Sequence, residues 1–292
     1  MTQRVLAIIG GSGLYAIEGL SHKEEIDLQT PYGPPSDRIV RGELGDATLL
    51  FLPRHGRGHR LPPHRIDYRA NVCALKMLGA TQLLSISAVG SMKEHIAPGH
   101  FVVVDQFIDL TRRRISTFFD EDFVAHVAFA DPICPDLSRA VAAAAERAGL
   151  RVHCGGTYVC IDGPQFSTRA ESLLYRSWGV SVIGMTAMPE AKLAREAELP
   201  YALLALSTDY DCWHATEADV TVEAVLAVLK ANAAGAQRTL TELAVSLPDP
   251  SRSPAARALV SALVSDPKSA SPGSLDRLRW LIGPYVSKEA SS

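Results

Sequence analysis

Tyr68-Arg69-Ala70-Asn71-Val72-Cys73-Ala74-Leu75-Lys76-Met77-Leu78-Gly79 is followed, after Ala80 and Thr81, by Gln82-Leu83-Leu84-Ser85-Ile86-Ser87-Ala88-Val89-Gly90. The first stretch sets Ala70, Val72, Leu75 and Leu78 near helical spacing and closes on a glycine, which predicts a helix over 68–78. The second is a short apolar run, which predicts a buried strand over 82–86 entering a loop of small residues, 87–90. Outward from this unit the alternation repeats. Strands are expected at Val5–Ile9, Ala47–Leu52, Phe101–Ile108, Gly156–Ile161, Val180–Ile183 and Tyr201–Ser207. Helices are expected at Pro135–Ala148, Ala170–Trp178, Glu190–Ala197 and Val222–Leu243. Strand ends deliver polar or glycine-rich loops again and again. The pattern predicts a single α/β domain over 1–247, with a central mixed, twisted β-sheet flanked by helices and the site at one sheet edge. From Pro248 onward Pro, Ser and Asp punctuate two short helical stretches, Ala255–Val264 and Ser274–Leu281. This predicts a C-terminal helical appendage over 248–292, partly mobile or docked on a neighbour, and not an independent domain.

The 292 residues carry a formal net charge of -3 and are 47% hydrophobic. Slight acidity argues against a broad footprint on a nucleic-acid backbone. No stretch approaches the roughly 20 apolar residues of a membrane span, and Met1-Thr2-Gln3-Arg4 runs straight into a strand with no signal-peptide features. Cys73, Cys134, Cys154, Cys160 and Cys212 are scattered, with no CxxC pair. Free thiols in a cytoplasmic protein are expected, without a metal site.

Three strand ends carry groups suited to an anion. Gly10-Gly11-Ser12-Gly13 allows consecutive backbone N–H groups to converge, with the Ser12 hydroxyl beside them. It equally suits an ordinary tight turn. It is no dinucleotide fingerprint, since Ala16 stands where the third glycine belongs. Arg54-His55-Gly56-Arg57-Gly58-His59-Arg60 is either a solvated basic loop or a phosphate-capturing one, because a guanidinium fork matches two phosphate oxygens. Ser87-Ala88-Val89-Gly90-Ser91 lets a ligand approach the backbone.

In Asp162-Gly163-Pro164-Gln165-Phe166-Ser167-Thr168, Phe166 offers a flat apolar surface to a ring, and Ser167 or Thr168 can cap the following helix. Gly184-Met185-Thr186-Ala187-Met188-Pro189-Glu190 ends a further strand, and its methionines suit core packing or a sugar ring. In Ser207-Thr208-Asp209-Tyr210-Asp211, two carboxylates lie two residues apart and share a face if the strand continues. Adenine presents an N7 acceptor beside an amino donor. One ionised and one protonated carboxyl match that edge, provided burial and the like-charged neighbour raise one pKa. A polar loop or a cation site is the alternative, although no further ligand stands at suitable spacing.

The set GGSGLY (10–15), RHGRGHR (54–60) with PPHRIDYRAN (62–71), SAVGS (87–91), DQFIDLT (105–111), DGPQFSTRAES (162–172), GMTAMPE (184–190) and STDYDCW (207–213) resembles the trimeric nucleoside phosphorylases, the purine nucleoside and methylthioadenosine phosphorylase family. The resemblance runs from the glycine loop to about Leu243 and is closest to the methylthioadenosine-cleaving members. It implies phosphorolysis of a 5'-methylthio-nucleoside of adenine, and possible action on adenosine, with inorganic phosphate as co-substrate and no cofactor. It also implies a homotrimer or a dimer of trimers. Ser12, Arg54, His55, Ser87, Ala88 and Thr186 are implied phosphate ligands. Met185 is implied at the ribose, and Phe166 and Ser167 at the base. Asp209 is implied as the acid at N7, and Asp211 as its partner in recognising the amino group. His59, Val222 and Val225 are implied at the 5' end, with His126 lent to a neighbouring subunit's site. Two positions depart from the family: Asp162 replaces a usual glutamate, and Gly184 an asparagine of some relatives. Rival expectations are a 6-oxopurine or methylthioinosine phosphorylase, a hydrolase, and a non-catalytic nucleoside-binding protein.

Overall fold

The computed structural model describes residues 4–11, 19–214 and 222–286, with side chains in the last segment from residue 228 onward. Among the described residues the strands are β1 (Val5–Gly10), β2 (Ser21–Ile26), β3 (Ile39–Leu44), β4 (Ala47–Pro53), β5 (Gln82–Ser91), β6 (Phe101–Val103), β7 (Gln106–Asp109), β8 (Val152–Cys154), β9 (Thr157–Cys160), β10 (Val182–Gly184) and β11 (Tyr201–Asp209). The α-helices are α1 (Tyr68–Met77), α2 (Pro135–Arg147), α3 (Arg169–Ser177), α4 (Ala187–Glu196), α5 (Val222–Ala244) and α6 (Pro272–Val286).

Period-two alternation in apolar runs explains the layering. In β1, Val5, Ala7 and Ile9 enter one apolar cluster, while Leu6 and Ile8 enter a second. β11 divides likewise, with Tyr201, Leu203 and Ala205 on one side and Ala202, Leu204 and Leu206 on the other. The first cluster is closed by Val72 and Leu75 of α1 and by Ala191 and Leu193 of α4. The second is closed by Leu137 and Val141 of α2 and by Ala236 and Leu240 of α5. Both sheet faces are covered, which is why the central strands read as continuous apolar runs.

The strands form one mixed sheet, ordered β2-β3-β4-β1-β5-β10-β9-β7, with β11 pairing β5 and β6, and β8 pairing β6. β5 is the branch point. It lies parallel to β1 on one side and to β11 on the other. Beyond Ile86, β1 ends, and Gly90 and Ser91 pair antiparallel with Ile183 and Val182 of β10. The carboxyl ends of β1, β4, β5 and β11 therefore meet at one edge, where open α/β sheets place their ligands.

Several boundaries differ from expectation. Ser87–Gly90 is strand rather than loop, because Ser87, Ala88 and Val89 continue the ladder opposite Ala205, Leu206 and Ser207. The single strand expected at 101–108 is two, β6 and β7, which join different neighbours. The break falls at Asp105, whose carboxylate accepts from the Gly156 N–H at 3.0 Å. β2, Ser-His-Lys-Glu-Glu-Ile, carries no apolar alternation because it is an exposed edge. The helix expected at 255–264 is a short 3₁₀ turn, Pro254–Arg257, after which Leu263 bridges to Ala125.

The described C-terminal residues pack on their own chain, where the sequence suggests a mobile or neighbour-docked piece. Leu259, Leu278, Leu281 and Ile282 are buried in the first cluster. Glu198 accepts from the Tyr285 hydroxyl at 2.6 Å and from the Leu259 N–H at 2.9 Å.

Candidate active site

At this edge lies a cavity of about 330 Å³, within the usual size range for small-molecule sites. Arg54, His55, His59, Ser87, Ala88, Phe166, Ser167, Met185, Thr186, Asp209 and Asp211 all line it. So eleven positions singled out in sequence converge on one space. Ser12 lies outside the described residues, though Gly11 lines the cavity. Val222 and Val225 fall on α5, with side chains outside the described residues. Leu229 and Ala233 of the same helix form part of the wall. His126 does not line the cavity; it is exposed, and its N–H donates to the Ala262 carbonyl at 2.8 Å.

One part of the lining is rich in hydroxyls and charge. The Ser87 and Thr186 hydroxyls stand 3.1 Å apart, although they come from β5 and from the turn before α4. Arg54 is fully buried, and its donors are mostly committed. Nε donates to Glu190 Oε2 at 2.9 Å, NH1 to the Ile86 carbonyl at 3.1 Å, and NH2 to the Ile9 carbonyl at 3.0 Å and Ser85 Oγ at 2.7 Å. The expected two-pronged fork is thereby corrected. NH1 alone keeps a hydrogen for a ligand, because Glu190, the Ser85 hydroxyl and the Ile9 and Ile86 carbonyls occupy the rest.

His55 is also not a cation. Its Nδ1 lies 2.8 Å from the Leu61 carbonyl, which only accepts, so the hydrogen is on Nδ1 and Nε2 is an acceptor. Burial above all, then the Arg54 guanidinium, push its pKa down to about 4. The His59 ring stacks on it at 4.2 Å.

Another part of the lining holds the carboxyls. Asp209 ends β11; its Oδ2 is 2.7 Å from the Thr208 hydroxyl, and its Oδ1 accepts from the Asp211 N–H at 2.8 Å. Burial pushes the Asp209 carboxyl above its ordinary range, and the Asp211 charge adds to this, against the pull of those two hydrogen bonds. Thr208 Oγ1 also lies 3.2 Å from the Val89 carbonyl. The Thr208 hydroxyl thus has one hydrogen to share between the Asp209 carboxyl and the more distant Val89 carbonyl. The shared strand face expected for the two carboxylates is corrected. Asp211 has φ +53 and opens a 3₁₀ turn, where its Oδ2 accepts from the Ser172 hydroxyl at 2.5 Å. Ser167 Oγ, by contrast, is buried in the lining with no hydrogen-bond partner.

Of the two departures noted in sequence, Gly184 acquires a steric reason and Asp162 a structural setting. Asp162 does not line the cavity. Its carboxylate accepts from the Arg112 N–H at 3.1 Å and sits 3.6 Å from Arg114. Gly184 does line it, and a Cβ there would stand 1.9 Å from the Tyr158 hydroxyl and 2.6 Å from the ring carbon bearing it. The Tyr158 ring fills the space a side chain at 184 would use. Gly184→Ala is therefore expected to destabilise the chain by about 1–3 kcal/mol. In a Tyr158→Val background, itself weakened by the void it leaves, Gly184→Ala should cost little, whereas in a Tyr158→Phe background it should cost as much as in the parent, since the ring carbon remains. Thermal melts of the parent, the three single variants and the two double variants decide this; a Gly184→Ala chain as stable as its parent refutes it.

Glu190, Tyr158, Leu229 and Ala233 carry no role in the sequence reading. Only the opposition of a buried arginine and a carboxylate signals Glu190, and that becomes visible in the fold. Among the described residues, no three His, Cys, Asp or Glu gather as metal ligands, and no helix is long and apolar enough to cross a membrane.

Comparison with known proteins places these features. The model of the Phosphorylase superfamily matches residues 5–244. The S-methyl-5'-thioadenosine phosphorylase of Geobacter sulfurreducens is 52% identical over 97% of this chain and 100% of its own. That of Synechocystis is 50% identical over 98% of this chain and 89% of its own. Among solved structures, a methylthioadenosine phosphorylase from an antarctic soil metagenomic library superimposes with a TM-score of 0.90 at 47% identity, covering 96% of this chain and 99% of that one. The Schistosoma mansoni methylthioadenosine phosphorylase in complex with adenine does so with a TM-score of 0.80 at 37% identity, covering 85% and 93%.

Proposed function

Because the chain belongs to the Phosphorylase superfamily, and within it to the S-methyl-5'-thioadenosine phosphorylases, we propose that it cleaves S-methyl-5'-thioadenosine with inorganic phosphate. The products are adenine and 5-methylthioribose 1-phosphate. The observation that carries this most directly is one cavity holding a Ser87–Thr186 hydroxyl pair beside Arg54 together with a buried, pKa-raised Asp209.

Phosphate lies against Ser87, Ala88, Thr186, the free NH1 hydrogen of Arg54 and the backbone at Gly11, with Ser12 beside it. Neutral His55 accepts a hydrogen bond, from a protonated phosphate oxygen or a sugar hydroxyl. Adenine lies beside Phe166, with Ser167 Oγ open to a polar edge. Asp209 hands its proton to N7 as the ribosidic bond stretches toward an oxocarbenium-like state, and Asp211 helps recognise the amino group. Phosphate then attacks the anomeric carbon from the opposite face, with Met185 under the ribose. Positioning of this kind supplies roughly 7–11 kcal/mol of the barrier. No cofactor enters, since proton transfer activates the leaving group and phosphate is the nucleophile. His59, Val222 and Val225 surround the 5' substituent. His126, exposed on its own subunit, completes a neighbour's site in a homotrimer or dimer of trimers, and the enzyme works in the cytoplasm.

The deciding experiment measures kcat/KM on methylthioadenosine, adenosine, inosine and methylthioinosine, with and without phosphate. Adenine release that depends on phosphate, with methylthioadenosine preferred, is expected. An apolar wall rejects a hydroxyl only by about 10², which bounds the preference over adenosine. Release of base without phosphate would overturn the assignment, and so would faster cleavage of inosine.

The acid role also sets the pH profile. Asp209 acts in its protonated form, so kcat falls as pH rises through its raised pKa. A kcat at saturating substrates that stays level or climbs across the alkaline range would exclude Asp209 as the acid.

A further inference from the structure

We infer that Arg114 is a positioning residue that locks the base-side loop to the phosphate-side turn, and so sets the distance between leaving group and nucleophile. The inference rests on the phosphorylase reading given above. Arg114 follows β7, and its side chain is 2% exposed. Its two terminal nitrogens address different segments. NH1 donates to the Met185 carbonyl at 2.7 Å and the Met188 carbonyl at 2.5 Å, and lies 3.1 Å from the Tyr68 hydroxyl. NH2 donates to the Asp162 carbonyl at 2.9 Å, with the Ile161 carbonyl at 3.4 Å. Nε has no hydrogen-bond partner, and the nearest carboxylate oxygen, Asp162 Oδ1, is 3.6 Å from it.

The 185–188 turn carries Thr186 and starts α4, from which Glu190 holds Arg54. The 161–162 pair leads into Pro164, Phe166 and Ser167 of the cavity lining. One rigid, planar cation thus spans the two walls between which the ribose must lie. A guanidinium presents fixed donors along divergent directions, whereas a lysine ammonium is a point charge and reaches one wall at a time. Arg114 is not among the residues lining the cavity, so its effect passes through the loops it holds.

Misplacement of reacting groups by about 1 Å costs on the order of 10²-fold in rate. Arg114→Lys is therefore expected to lower kcat by about 10²-fold, while the separate dissociation constants of adenine and of inorganic phosphate stay within a few-fold of the parent. A merely structural role would instead lower the melting temperature and leave kcat per folded molecule unchanged, which overturns the proposal. Loss of both separate affinities along with kcat overturns it as well. Should the lysine variant fail to fold, Arg114→Gly assayed with millimolar guanidinium serves instead. Recovery of kcat by guanidinium, but not by ammonium, is expected; no recovery counts against the proposal. The parent chain is the control: if it releases no adenine with phosphate, the functional reading fails on its own, whatever Arg114 does.

Discussion

An Asp209→Asn chain is expected to keep its fold and lose about 10²–10⁴-fold in kcat. The substitution is nearly isosteric, and the surrounding network accepts it. Its carbonyl oxygen can still accept from the Asp211 N–H, and its amide can donate to the Thr208 hydroxyl oxygen, whose hydrogen then turns to the Val89 carbonyl. Only the transferable proton is lost. Because asparagine pairs well with a 6-oxo group, relative activity on inosine should rise while activity on methylthioadenosine falls. The measurement is kcat and kcat/KM on both nucleosides, with circular dichroism to verify the fold. Near-normal turnover of methylthioadenosine would remove Asp209 as the acid. An unchanged base ratio would leave the acid role standing and remove the recognition argument.

The second large effect is expected at Glu190. Its carboxylate meets Arg54 at 2.9 Å, and both side chains are 1% exposed. Glu190 also accepts from the Tyr201 hydroxyl at 3.1 Å. Glu190→Leu leaves the Arg54 charge buried without its partner, at a cost of about 3–5 kcal/mol. That is a large share of the roughly 5–15 kcal/mol that holds a domain together. Replacing both residues, Arg54→Met with Glu190→Leu, should recover much of that stability, because a well-packed apolar pair often matches a buried ion pair. The double variant should nonetheless remain inactive, since the guanidinium N–H that faces phosphate is gone. Thermal melts and phosphorolysis assays on the single and double variants test this. A single variant as stable as its parent would mean that the ion pair is not needed to hold Arg54. An active double variant would mean that Arg54 does not serve phosphate.

The parts of the fold legible in sequence are those where both faces of a strand are buried. β1, β4, β5 and β11 declare themselves because nearly every side chain must be apolar when helices cover both sides. β2 does not, because an exposed edge strand of His, Lys and Glu resembles a loop. Site residues were legible where chemistry is concentrated in adjacent positions, as in Arg54-His55 or Asp209-Tyr210-Asp211. Their detailed roles were not, because those depend on partners distant in sequence. Glu190, 136 residues from Arg54, takes up the arginine's fork. The Leu61 carbonyl decides which nitrogen of His55 carries hydrogen. A positive φ at Asp211 turns its carboxylate off the strand pattern.

Tyr158 and Gly184 share one volume, and this couples what the two positions can hold. A side chain gained first at 184 is met at 1.9 Å by the phenol oxygen. Loss of the phenol first leaves a void, which for a large aromatic truncated in a core costs about 3–5 kcal/mol and is survivable in a chain with stability to spare. A side chain the size of asparagine at 184 therefore requires position 158 to shrink, and a chain that shrinks position 158 first passes through a hollow intermediate. Random libraries varying position 184 alone in this background should return little beyond glycine and, at reduced stability, alanine, while libraries begun from a Tyr158→Val chain should return many residues.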